Sequence, residues 1–201
     1  MAKLPIDLVK KLYYEEKLSA REIGKKLNVT PWVIFKFMNK YGLERRNAHD
    51  TNLIKFQKKP LSFLAKDNLT QSEEKLRIAG LMLYWAEGSK TNNTVDLANS
   101  NPNIIKLFLR FLRTICGIDK KRLRVYLYCY KNQDVDAIKN YWSCLTKIPL
   151  EQFSKPYVRS DFKPEKSGKM KYCLAHVRYH DKKLLEQINQ WIEEYLEYFN
   201  A

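Results

Sequence analysis

Residues 78–88, IAGLMLYWAEG, carry one carboxylate, Glu87, at the end of an otherwise uncharged run and beside a glycine. An acid at the buried end of an apolar helix is costly unless something positive pairs with it, and a divalent cation is one such partner. Exposure in the last helical turn is the alternative. Lys90, just beyond, either lends positive charge to the same place or is solvated. Cys173, His176 and His180 are the right types for zinc, but no second cysteine is placed to complete a tetrahedral set, and the segment alternates like a strand. Zinc is therefore not expected. The four cysteines, Cys116, Cys129, Cys144 and Cys173, sit among apolar neighbours without a CxxC pair and are expected to be reduced and structural.

The chain around these residues is basic, with 37 Lys plus Arg against 22 Asp plus Glu and a formal net charge of +15. That balance points to an anionic partner. Hydrophobic residues make up 45% of the 201, enough for a core and too many for a mainly disordered chain. No apolar run approaches the roughly 18 residues of a membrane span, and the N-terminus lacks the apolar segment of a signal peptide. The expected setting is cytoplasmic, with no membrane partner.

Two parts are expected, the first more densely basic. Residues 6–16 follow Pro5 with apolar side chains at 8, 9, 12 and 13, which predicts a first helix. Ser19 with Glu22 three residues on reads as a capping box opening a helix over 20–27 that buries Ile23 and Leu27 and keeps Gly24 for a close crossing. Asn28 suits the left-handed backbone of a tight turn, Thr30 caps the next helix and Pro31 fits its first position. That third helix, 31–41, turns Ile34, Phe37, Met38 and Tyr41 inward and Thr30, Trp32, Lys36, Asn39 and Lys40 outward. Residues 48–70, with weak periodicity and the Lys58-Lys59-Pro60 breaker, read as a connector with at most one short element.

The small Gly24, the turn spacing, the apolar positions 34 and 37 and the following Gly42-Leu43-Glu44-Arg45-Arg46 resemble the helix-turn-helix DNA-binding motif. Asn28 stands where that motif prefers glycine, and Trp32 and Phe35 stand among positions usually polar. The resemblance implies that the third helix enters the major groove, with Thr30, Lys36 and Asn39 toward bases, Lys40, Arg45 and Arg46 toward phosphates, and Trp32 on the same DNA-binding face. A three-helix bundle with a solvated basic face is the alternative.

The second part alternates helices and strands. Helices are expected over 73–87, 101–116 (signalled by Ser100 and Pro102), 135–145 and 182–199, the last burying Leu184, Leu185, Ile188, Trp191, Ile192, Tyr195 and Phe199. Strands are expected over 94–99, 122–130, 155–161 and 171–180. The second is the most telling: Leu123, Val125, Leu127 and Cys129 fall on one face, and Arg122, Arg124, Tyr126, Tyr128 and Tyr130 on the other. With Arg159, His176 and Arg178 on polar faces of the later strands, a sheet with helices on one side would leave a basic, aromatic face open to nucleic acid. A two-layer α+β domain whose open face is simply solvated has the same pattern.

The helix ending Ala86-Glu87-Gly88-Ser89, the strand reaching Asn99-Ser100-Asn101-Pro102, and the helix and strands that follow resemble the LAGLIDADG homing-endonuclease fold over about residues 73–199. Glu replaces the commoner Asp at 87, and Met82 stands where the motif has glycine. The fold so implied is α+β: a three-helix helix-turn-helix domain (1–47), a connector (48–70) and a LAGLIDADG-like domain (71–201) with a mainly antiparallel sheet and helices on one face. The resemblance also implies a homodimer in which the motif helices pack through Ala79, Met82, Leu83 and Ala86. Paired Glu87 carboxylates would then hold Mg²⁺ over the scissile phosphates of double-stranded DNA, with Lys90 assisting. The expected activity is metal-dependent DNA cleavage. A non-cleaving transcription regulator on the same fold is the alternative, and the basic surfaces do not by themselves exclude RNA.

Overall fold

The computed structural model describes residues 4–89, 93–160 and 170–200. The chain forms two compact units, Met1–Pro60 and Leu61–Ala201. Among the described residues no helix is long and apolar enough to cross a membrane.

The first unit contains α1 (Ile6–Lys10), continued by a wider π turn over Lys11–Glu15, then α2 (Ala20–Lys26), α3 (Pro31–Lys40) and α4 (Ala48–Lys58). The capping box forms: Ser19 Oγ accepts from the Glu22 amide at 3.2 Å, and the Ser19 amide donates to Glu22 Oε2 at 2.7 Å. Asn28 takes the left-handed conformation, with φ of 53°. A Cβ on Gly24 would lie 2.6 Å from the Val29 carbonyl oxygen, so glycine is what lets the chain fold back here. Leu12, Tyr13, Ala20, Ile23, Ile34 and Met38 form the core of this unit. Two inward assignments are corrected. Phe37 is half-buried, and Tyr41 is 42% exposed, because α3 runs past this small core and Tyr41 packs its ring on Phe37, at 4.5 Å between centroids. The segment expected as a connector is divided. Residues 48–58 are α4, capped by the Asn47 side chain on the Asp50 amide at 2.8 Å and part of the first unit, and residues 61–70 belong to the second.

The second unit runs α5 (Gln71–Glu87), β1 (Val95–Asn99), α6 (Pro102–Thr114), β2 (Leu123–Tyr130), α7 (Val135–Thr146), β3 (Tyr157–Arg159), β4 (Leu174–Tyr179) and α8 (Lys182–Asn200), with short 3-10 turns at Lys120–Arg122 and Leu150–Gln152. The strand order is β1-β4-β2-β3. β4 is antiparallel to both neighbours, and β3 joins β2 in parallel, so the sheet is mixed. Buried strand residues such as Val125, Leu127 and Val177 share one core with α5, α6, α7 and α8, while the alternate strand positions stay more open. This is an α+β unit. The expected helical core also needs correction at its end: Phe199 is 77% exposed, because the last turn of α8 projects past a core that stops at Leu196. Asn101, not Ser100, caps α6, accepting from the Asn103 amide at 2.9 Å.

Cys129 and Cys173 are joined by a disulfide, with Cα atoms 4.8 Å apart, which corrects the expectation of four reduced thiols. The end of β2 and the turn before β4 bring together side chains 44 residues apart in sequence. Cys116 and Cys144 are free.

Candidate nucleic-acid interface

On α3, helical spacing turns Trp32, Lys36, Asn39 and Lys40 to one exposed face. Trp32 is 65% exposed, and Lys36 Nζ lies 5.0 Å from its ring centroid. Arg45 joins this face: its guanidinium covers Phe35 at 4.6 Å and donates from Nη2 to Asn39 Oδ1 at 2.9 Å. Lys40 sits over Tyr41 at 5.5 Å. The aromatic residues that looked out of place among base readers thus serve as platforms for cations. Thr30 uses its hydroxyl oxygen to cap the Val33 amide at 3.4 Å. Arg46 turns inward instead. It covers Tyr13 at 4.1 Å and donates to the Leu18 carbonyl, while its backbone amide donates to the Tyr13 hydroxyl at 3.0 Å.

In the second unit the alternation of β2 holds as expected, with Leu123, Val125, Leu127 and Cys129 buried and Arg124, Tyr126, Tyr128 and Tyr130 on the open face. Register sets His176 beside Tyr126 and Arg178 beside Arg124, and on the other side sets Asp96 beside Arg178. Asp96 was missed in the sequence, and it organises this face. Its carboxylate accepts from His176 Nδ1 at 3.1 Å and from Arg178 Nε at 2.7 Å. Burial raises the Asp96 pKa, but the hydrogen bonds and positive charge of His176 and Arg178 outweigh it, so the group lies below the usual aspartate value. The face continues in aromatic contacts: Tyr128 lies 4.9 Å from His176, 5.1 Å from Tyr126 and 5.3 Å from Tyr157, and Arg178 covers Tyr126 at 5.2 Å. Tyr157, also missed in the sequence, is half exposed. Its signal was its place in a short strand that ends at Arg159, a position itself exposed.

Arg122 does not join the open face. It lies in the turn ahead of β2, covers the buried Tyr179 ring at 5.1 Å, and donates to the His180 carbonyl at 2.7 Å and to the Asp181 carboxylate at 3.3 Å. Strand parity misplaces it because the strand begins one residue later. Arg124 bends back, Nη1 donating to the carbonyls of Lys121 and Leu123 at 2.8 and 2.7 Å.

Glu87 is exposed in the last turn of α5. The junction behind it is braced: the Tyr84 hydroxyl donates to the Ser89 carbonyl at 2.9 Å, the Ser89 amide donates to the Asp96 carbonyl at 2.9 Å, and burial pushes the Tyr84 pKa up to about 12. Ala79, Met82 and Leu83 are half-buried and Ala86 is exposed, with Met82 and Leu83 packed on this unit's own core. Lys90 lies outside the described residues. Among the described residues, no three His, Cys, Asp or Glu side chains gather to hold a metal ion. No protein-family model matches the chain, and neither does any curated protein or solved structure.

Proposed function

We propose that the protein binds double-stranded DNA through the outward face of α3 and the open face of the sheet, and that a homodimer cleaves it with Mg²⁺ held by Glu87 of each protomer. The observation that carries the DNA reading is α3 itself. After a four-residue turn with Asn28 left-handed, the helix presents Trp32, Lys36, Asn39, Lys40 and the adjoining Arg45 on one exposed surface. That surface combines the Asn39 amide, able to reach a base edge, with cations able to reach phosphates. The sheet supports the same partner. Arg124 and Arg178 stand opposite each other on neighbouring strands, with Asp96 paired to Arg178, and a phosphate would relieve their repulsion.

Glu87 is an exposed hard-oxygen donor at the carbonyl end of α5, the donor chemistry Mg²⁺ takes, and one such group per chain suits a site shared by two protomers. When bound, the ion would activate water and stabilise charge on the phosphate. A non-cleaving regulator is the second reading. Gly80 favours it, because that glycine is taken up by Phe111 of the same chain and not left for a second α5.

The test is incubation of a randomised duplex library with the wild type and Glu87→Gln, with Mg²⁺ and with chelator, sequencing cut and bound fragments separately. Specific cuts that need both Mg²⁺ and Glu87, with binding retained by the variant, are expected. Enriched binding without cuts would replace the nuclease with the regulator, and equal loss of binding and cutting in Glu87→Gln would remove the metal-ligand role.

A further inference from the structure

The first unit contains a cavity of about 410 Å³ that no residue of α3 lines. Six cations surround it, Lys17, Arg21, Arg46, Lys55, Lys58 and Lys59, against one carboxylate, Glu22. That carboxylate is already held by the Ser19 amide and hydroxyl, and these hydrogen bonds keep its pKa below the usual value. The nearby acid Glu16 is paired with Lys26 at 3.0 Å. Two of the cations are fixed in place by neutral partners: Lys58 Nζ donates to the Lys17 carbonyl at 3.0 Å, and Arg46 donates to the Leu18 carbonyl. A carbonyl orients a cation without cancelling its charge. Arg46 Nε is also buried with no hydrogen-bond partner among the described residues. Like charges gathered around one concavity repel unless an anion enters, and such a cavity concentrates anions.

We infer that this pocket is a binding site for a phosphate group. The guanidinium and ammonium donors match phosphate oxygens, and the volume exceeds what one phosphate fills, so it suits a diphosphate or a phosphate carried on a larger molecule. Two sources share this chemistry, a freely diffusing phosphate compound and the backbone of a bound duplex. No residue of α3 lines the site, and it stands whether or not the endonuclease reading does.

The experiment titrates the full chain with inorganic pyrophosphate by calorimetry and, separately, with a labelled random duplex. It compares the wild type with Lys55→Ala/Lys58→Ala, with Arg21→Ala, and with Lys10→Ala/Lys11→Ala as an equal loss of charge elsewhere in the unit. At least a tenfold fall in one readout for both pocket variants, with the control pair unchanged, is the expected result. A fall for pyrophosphate alone assigns the site to a diffusing phosphate compound, and a fall for duplex assigns it to the DNA backbone. If neither readout changes in the pocket variants, or the control pair falls as far, the site does not exist.

Discussion

Asp96 accepts from two side chains of β4, and replacing it leaves His176 and Arg178 without the group that orients them. Its folded pKa is depressed, so its contribution to stability is fully present above the unfolded value of about 3.9 and is lost as pH falls through the folded value. Asp96→Asn is expected to destabilise the protein by about 1.5–3 kcal/mol near neutral pH, the range for a hydrogen bond to a charged group. That difference should shrink below pH 4. Urea unfolding of both proteins at pH 7 and pH 3 measures it, and a gap unchanged at pH 3 would detach the effect from Asp96 ionisation. Asp96 was legible as an open-face residue, since Val95 and Leu97 flank it, but its partners stand 80 and 82 positions away, beyond what local spacing reveals. Arg46 and Arg122 carry the same lesson. Their charge was readable, and the rings and carbonyls that hold them inward were not.

Elements were legible in proportion to how strongly one face of each is buried. The alternation of β2 and the capping box at Ser19 follow directly from residue types, because burial and capping act locally, whereas the box at Thr70, which starts α5 at Gln71 and not at 73, went unread. α4 has no buried residue and therefore no periodic signal. β3 is three exposed residues held to β2 in parallel, a pairing that only the tertiary fold specifies. Gly80, which carried no role in the sequence reading, shows a helix crossing that only the tertiary fold reveals. A Cβ there would overlap the fully buried Phe111 ring, so the glycine sets the approach of α5 to α6. Gly80→Ala is expected to cost about 1–3 kcal/mol through overpacking, despite the better helix propensity of alanine. A thermal midpoint equal to or above the wild type's would mean that Phe111 moves aside freely. The disulfide gives a second check at this scale: protein unfolded without reductant should titrate two thiols, Cys116 and Cys144, and four after reduction. Reduction should lower stability by about 4 kcal/mol for a closed loop of this length. Four thiols without reductant would remove the crosslink.

For the whole molecule, net charge and apolar exposure pull in different directions. A charge of +15 keeps free chains apart, whereas a polyanion bound across two chains offsets their repulsion. The exposed side of α5 carries Ile78, 41% exposed, and Trp85, 47% exposed, with half-buried Ala79 and Met82 in the same stripe. Residues 78, 82 and 85 recur at helical spacing, which is the pattern of a helix that meets another helix. If that face joins two protomers, wild-type protein should sediment on duplex DNA with two chains of 24.0 kDa per site. Ile78→Glu/Trp85→Glu should leave one. The same variant should halve the salt slope of binding, since half the phosphate contacts are lost, and abolish cleavage even though Glu87 is untouched. Those two losses separate a shared site from a lone one: a variant that still cut DNA as a single chain would show that one Glu87 suffices. A wild type that bound its duplex one chain at a time would leave the α5 stripe without a role in the proposed cleavage.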